Sequence, residues 1–273
     1  MLNRILVALI GIPILLTILL KGGLLLLLFV NFVIFIGLFE FYKMAEIGGK
    51  KPEVNLGYIA GMAIPNLVYF LKASNSEIAF ILPLVFLLIT CMGKKVLQNK
   101  VENSSRDIGI TILGVIYVSG LFSHLLLMNY LPKGGMWLLS IQILVWVCDS
   151  FAYFVGMGIG RKIFKQGFST ISPKKSIEGS IGGIAFTVLT IYLINNYFQL
   201  FSQGTSTAVV LFFGILISLI AQIGDLGESM FKREFKIKDS GKLLGEHGGI
   251  LDRFDSMLFV VPTVYYVLKF FIS

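Results

Sequence analysis

Asp149 lies within Trp146-Val147-Cys148-Asp149-Ser150-Phe151-Ala152-Tyr153, inside a long apolar run. An ionisable group in so apolar a stretch is costly and defaults to a functional or a pairing role. A second carboxylate closes another apolar run, in Gln222-Ile223-Gly224-Asp225-Leu226-Gly227-Glu228-Ser229-Met230-Phe231-Lys232-Arg233. On a helix Asp225, Glu228, Ser229 and Lys232 stand at i, i+3, i+4 and i+7 and share one face. A third follows in Leu251-Asp252-Arg253-Phe254-Asp255, where Asp252 and Asp255 share a face at i, i+3. Mg²⁺ takes one or two carboxylates together with water and substrate phosphates. Asp225 and Asp252, on neighbouring helix ends, are the candidate metal carboxylates. The bland alternative is a salt-bridge cluster in which these acids neutralise Lys232, Arg233 and Arg253.

Between those carboxylates runs Lys236-Ile237-Lys238-Asp239-Ser240-Gly241-Lys242-Leu243-Leu244-Gly245-Glu246-His247-Gly248-Gly249-Ile250. Glycines let backbone amides approach an anion, and lysines add positive charge. The GxxxxGK[ST] order of a Walker A loop is absent. His247 could donate to a phosphate or exchange a proton near neutral pH; a lone His beside glycines is as readily a turn residue. A second polar segment reads Ser172-Pro173-Lys174-Lys175-Ser176-Ile177-Glu178-Gly179. Paired lysines ahead of a helix start make a polyphosphate clamp, or a simple anchor on the positive side of a membrane. Gly156-Met157-Gly158-Ile159-Gly160 is no dinucleotide fingerprint and reads as small residues for close helix packing.

The elements that carry these groups are membrane helices. Of 273 residues, 56% are hydrophobic and only 14% are charged, against about 25% charged in an ordinary soluble domain. Mean hydropathy is +0.87. Disordered, collagen-like and ordinary soluble classes are excluded. Apolar runs at 5–20, 24–42, 56–71, 78–92, 107–128, 135–157, 179–197, 207–228 and 257–272 predict an all-α polytopic membrane protein with about nine transmembrane helices. Lys21-Gly22-Gly23 joins the first two as a tight hairpin, and the first helix is read as an uncleaved span. With a cytoplasmic N-terminus, 19 of the 23 basic residues fall on the inner side, as the positive-inside rule requires. That rule accounts for the net charge of +8 without nucleic acid. The chain divides into N-terminal helices over 1–77, middle helices over 78–157, and a reactive C-terminal part over 158–273. Nine of the fifteen acids lie between Asp149 and Asp255, and all the reactive stretches fall at cytoplasmic helix ends. A water-soluble phosphate substrate meeting an inner-leaflet lipid fits that convergence.

Other polar groups read as structural. Glu40 and Lys43, at i, i+3, form an interfacial pair, and Glu46, Glu53, Glu77 and Glu102 are solvated. His124 is a satisfied core residue, and Trp137 and Trp146 serve belts and packing. Cys91 and Cys148 are small packing residues, too few for a disulfide framework or a zinc ribbon.

The gapped stretch Lys232-Arg233, Lys238-Asp239-Ser240-Gly241 and Gly245-Glu246-His247-Gly248-Gly249-Ile250-Leu251-Asp252-Arg253-Phe254-Asp255 resembles the signature of phosphatidate cytidylyltransferases (CDP-diacylglycerol synthases). The motifs around Asp149, Lys174-Lys175 and Asp225 are similar to that family too, so the likeness spans roughly 149–255. It implies an integral membrane enzyme that is a homodimer; compactness and the lack of an added N-terminal domain predict a bacterial inner membrane, and the positive-inside count predicts an active site facing the cytoplasm. The likeness also implies that CTP and phosphatidic acid react there to CDP-diacylglycerol and pyrophosphate. Mg²⁺ is the implied cofactor, with K⁺ as a second cation. Asp225 and Asp252 would be metal carboxylates. Lys174, Lys175, Lys232, Arg233 and Lys238 would hold phosphates, and Asp149, Ser229, Asp239, His247, Arg253 and Asp255 would complete the site. Rival readings are a CTP-dependent polyprenol or phytol kinase, a secondary transporter, and a structural assembly protein. Transport would favour midplane charges in both halves, and the first half has almost none.

Overall fold

A computed structural model describes residues 2–72, 75–241 and 248–272. Among them are ten α-helices, one π-helical turn and no strand. The helices are α1 (Leu2–Lys21), α2 (Gly23–Ile47), α3 (Val54–Leu71), α4 (Ser76–Leu97), α5 (Ser104–Gly114), α6 (His124–Asn129), α7 (Gly134–Ile159), α8 (Ile177–Phe198), α9 (Thr207–Glu234) and α10 (Leu251–Ile272). Among the described residues seven helical segments are long and apolar enough to cross a membrane: α2, α3, α4, the continuous stretch Ser104–Asn129, α7, α8 and α9. A shorter apolar stretch, Gly11–Lys21, lies in α1. The protein is an all-α polytopic membrane protein.

The chain forms two compact units, Met1–Pro132 with Phe231–Phe254, and Lys133–Met230 with Asp255–Ser273. In the first unit the α1–α2 hairpin turns on Gly22 and Gly23, whose φ angles are +62° and +59°. Only glycine takes that backbone region at no steric cost. α2 buries Leu26, Val30, Ile34, Leu38 and Phe41 at helical spacing and exposes Leu28, Phe32, Phe35 and Phe39 on the other side. In a bilayer that second face suits lipid, since lipid tails are as apolar as leucine. Small residues let α3 approach: a side chain at Gly57 would overlap the Tyr42 ring, and one at Gly61 would overlap Leu38.

The apolar run expected as one helix over 107–128 is interrupted. α5 passes into a π-helical turn, Val115–Gly120, before α6. Hydropathy is continuous there, so the run gave no sign of the break. Side chains tie this region to its neighbours: Ser119 Oγ in the turn donates to Gly61 O of α3, and Tyr42 Oη of α2 donates to Thr111 O at 2.8 Å.

Glu53 corrects another expectation. It is buried rather than solvated. Lys94 and Lys95 both pair with it, and Lys95 also reaches Asp107 Oδ2 at 3.2 Å. Burial opposes the charge on Glu53, but hydrogen bonds from Lys94 and Lys95 outweigh it and hold the carboxyl below its usual value. Buried charges persist only when paired in this way. The Glu40–Lys43 pair is also not formed. Lys43 Nζ sits 5.4 Å from the centroid of the Phe39 ring, and Glu40 points inward. His124 is satisfied in the core, its Nδ1 2.9 Å from Gly120 O.

In the second unit α7 and α8 pack through glycine. A Cβ on Gly183 would stand 3.0 Å from Cys148 O, and one on Gly179 would stand 3.2 Å from Gly156 Cα. The small residues around Gly156 therefore do pack, as their spacing implied. Phe151 stacks on Phe186 at 3.7 Å between centroids. α9 meets the start of this unit's α10 residues at Gly224, where a Cβ would lie 2.8 Å from Asp255 O. Trp137 is buried against Phe201 and Phe213.

Candidate active site

In the second unit the Lys174-Lys175 loop is built by local capping. Ser176 is the N-cap of α8, and its Oγ accepts from Gly179 N at 3.1 Å. Capping by serine satisfies one of the amide donors a helix start leaves open. Glu178, in the first turn, accepts from Ile163 N at 2.9 Å and Phe164 N at 2.8 Å. Phe168 N donates to Lys175 O at 2.9 Å, and Arg161 donates to Pro173 O. These bonds fold 160–176 back on the helix start and hold Lys175 in place.

Lys175 Nζ pairs with Asp225 of α9. Both line a cavity of about 390 Å³ with Asp149, Lys174, Tyr153 and Phe168. Asp149 is therefore not embedded in apolar packing; its side chain opens into this space. It lies within electrostatic range of Asp225, Asp255 and Lys175. Behind Asp225, Gln222 and Ser180 tie α9 to α8: Ser180 Oγ donates to Gln222 Oε1, and Gln222 Nε2 donates to Ser180 O at 3.4 Å. Asp255 accepts from Ser256 N at 2.6 Å.

This donor set suits phosphate and a hard cation together. Two ammonium groups can neutralise phosphate oxygens, and carboxylate oxygens are the ligands Mg²⁺ selects. Among the described residues no three His, Cys, Asp or Glu side chains gather as a self-sufficient metal cage. The chemistry fits an ion that keeps water and takes the rest of its shell from substrate phosphate.

In the first unit the glycine-rich segment is organised by Asp252. Its Oδ1 accepts from Lys232 Nζ at 2.7 Å. Its Oδ2 accepts from Gly249 N at 2.7 Å, Ser240 Oγ at 2.9 Å and Ser240 N at 3.1 Å. Burial opposes the Asp252 charge, but the Lys232 and Gly249 bonds prevail and keep its carboxyl below the usual value. Gly248 has φ +80°, and a Cβ there would meet Asp252 Oδ2 at 2.6 Å. Lys238, Asp239, Arg233 and Arg253 are exposed, and Ser229, in the second unit, is half-buried on α9. His247 lies outside the described residues.

α9 runs unbroken from Asp225 through Glu228 and Ser229 to Lys232, so their helical spacing is real. The connection between the apolar runs ending at 228 and starting at 257 is shorter than its polarity suggested, because α9 continues to Glu234 and α10 begins at Leu251. One residue at this cluster was missed from sequence. Glu40 of α2 accepts from Ile250 N and Leu251 N at 2.9 Å each, and from Ser240 Oγ at 3.1 Å. The signal was present: a carboxylate inside an apolar run, the criterion that singled out Asp149.

Comparison with known proteins gives one consistent answer. A family model described as "Cytidylyltransferase family" matches residues 2–271. A phosphatidate cytidylyltransferase of Bacillus subtilis (strain 168) is 33% identical over 248 residues, 86% of each chain. Proteins of the same name from Staphylococcus aureus (strain COL) and Staphylococcus epidermidis (strain ATCC 12228 / FDA PCI 1200) are 35% identical over 263 residues, 95% of each chain. A match across nearly the whole chain, with relatives above 30% identity over most of their length, leaves one conclusion: this chain belongs to the cytidylyltransferase family.

Proposed function

We propose that this protein transfers the cytidylyl group of CTP to phosphatidic acid, forming CDP-diacylglycerol and pyrophosphate for phospholipid synthesis. The observation that carries the reading is the Lys175–Asp225 pair beside Asp149 and Lys174 in a cavity between membrane helices, in a chain of the cytidylyltransferase family. A phosphate oxygen of phosphatidic acid attacks the α-phosphorus of CTP. A new P–O bond forms as the bond from that phosphorus to the α–β bridging oxygen breaks, and pyrophosphate leaves with the electron pair. The attacking group is already an anion, so no protein nucleophile is needed. What the protein must supply is alignment and charge neutralisation.

Lys174 and Lys175 hold phosphate in the second unit. Lys232, Arg233 and Lys238 do so in the first, where Arg253 is a further site residue. Asp149, Ser229, Asp239, His247 and Asp255 complete the contacts. Asp225 and Asp252 are each proposed as metal carboxylates. Mg²⁺ bound there, with K⁺ as a second cation, supplies polarisation of the phosphate and stabilisation of the leaving oxygens. A homodimer with about nine spans in a bacterial inner membrane, its N-terminus and active site cytoplasmic, is part of the same proposal.

The test uses purified protein in lipid–detergent micelles with CTP, phosphatidic acid and Mg²⁺, the lipid product being identified by mass spectrometry. CDP-diacylglycerol from the wild type, lost in Asp225→Ala, is the expected result. Phosphorylated polyprenol or phytol with release of CDP would replace this reading with a kinase.

A further inference from the structure

Glu40 is 2% exposed and is the one charged residue of its helix as far as Tyr42. Its carboxylate receives Ile250 N, Leu251 N and the Ser240 hydroxyl, a segment some two hundred residues further along the chain. A buried charge is tolerated only with such donors, and the first turn of α10 adds its favourable dipole. The Ser240 hydroxyl also stands 2.9 Å from Asp252 Oδ2. Its single proton is therefore shared between two carboxylates in a three-centre bond, and through that bond the position of one sets the position of the other.

The loop is shaped around this carboxylate. A Cβ on Gly249 would collide with both oxygens of Glu40, and one on Gly241 would collide with Glu40 as well. Both glycines belong to the stretch that resembles the family signature. Their smallness here makes room for a residue of α2 that the stretch does not contain. Salt bridging does not explain Glu40, since none of its described partners is a cation.

We infer that Glu40 is a positioning residue for nucleotidyl transfer: acting through Ser240, it fixes Asp252 and the start of α10. The inference rests on the transfer reaction proposed above. Glu40→Gln keeps the shape but turns an amide N–H₂ toward a donor. Ser240→Ala leaves both backbone bonds to Glu40 and the Ser240 N bond to Asp252 intact, and removes only the hydroxyl that joins the two carboxylates.

Steady-state kinetics with CTP and phosphatidic acid test it. Each variant should lower kcat about tenfold or more, as small displacements of aligned groups do, with both KM values within about twofold. The double variant should be no worse than the weaker single, because the two act in series. Ser240→Thr, which keeps the hydroxyl, should recover to within about threefold of wild type. Glu46→Gln, exposed on the same helix, should match wild type. Wild-type kcat in folded Ser240→Ala, additive losses, or a change confined to KM would each overturn the role of Glu40. If Glu40→Gln does not fold, Ser240→Ala and Ser240→Thr decide alone. A wild type that forms no CDP-diacylglycerol overturns the reaction itself, a separate result.

Discussion

Removing the Asp225 carboxylate leaves the Lys175 ammonium in its cavity without the partner that now holds it. Asp225→Asn should therefore lower kcat/KM by about a hundredfold or more, the scale of losing one preorganised electrostatic group. Lys175→Met should do so comparably, and the two losses should not add, which a double-mutant cycle on kcat/KM would measure. Glu53 gives a prediction of a different kind. Its folded pKa lies below the ordinary 4.5, so the unfolded state binds the proton more readily. Its contribution to stability is complete above 4.5 and is lost as pH falls through the lower folded value. Thermal midpoints measured between about pH 3 and 6 should fall at the acid end, and the fall should be shallower in Lys95→Met. Asp149 and Asp225 stood out in the sequence because charge at an apolar run is rare, and the paired lysines because they precede a helix start. Glu40 carried the same mark and Glu53 did not, and both were misassigned. A nearby lysine in sequence suggested a surface pair for Glu40, and a loop position suggested solvent for Glu53. Their true partners lie at Ser240–Leu251 and at Lys94–Lys95, separations that local spacing does not encode.

The helices themselves follow from apolar length, and so most were evident. Their interruptions do not. α5, the π turn and α6 occupy one continuous apolar stretch, and the shift of the ladder over Val115–Gly120 has no counterpart in its hydropathy. The α7–α8 contact could be anticipated in kind from Gly156 and Gly160, but Gly179, Gly182 and Gly183 of α8 bring the two helices together as well. Gly183→Leu should overfill that contact and lower the thermal midpoint by at least about 4 °C, following the usual cost of overpacking. The paired-lysine loop depends on Glu178 as its anchor. Glu178→Ala should release residues 161–165, seen as faster amide exchange there, and raise KM for CTP more than it lowers kcat.

As a whole the chain places 19 of its 23 lysines and arginines where an N-in topology puts the cytoplasm, and that bias is the physical basis for orientation. Native Cys91 and Cys148 are buried, so single introduced cysteines can report it. Ser206→Cys should react with an impermeant maleimide in intact cells and Lys100→Cys only after lysis; the reverse would invert the topology. The reaction is tested most directly by position of label. Purified protein is given phosphatidic acid and CTP carrying ³²P at either the α- or the γ-phosphate. Nucleotidyl transfer places the α-label in lipid and the γ-label in free pyrophosphate. Label from the γ-position in lipid, or α-label remaining in CDP, would contradict it.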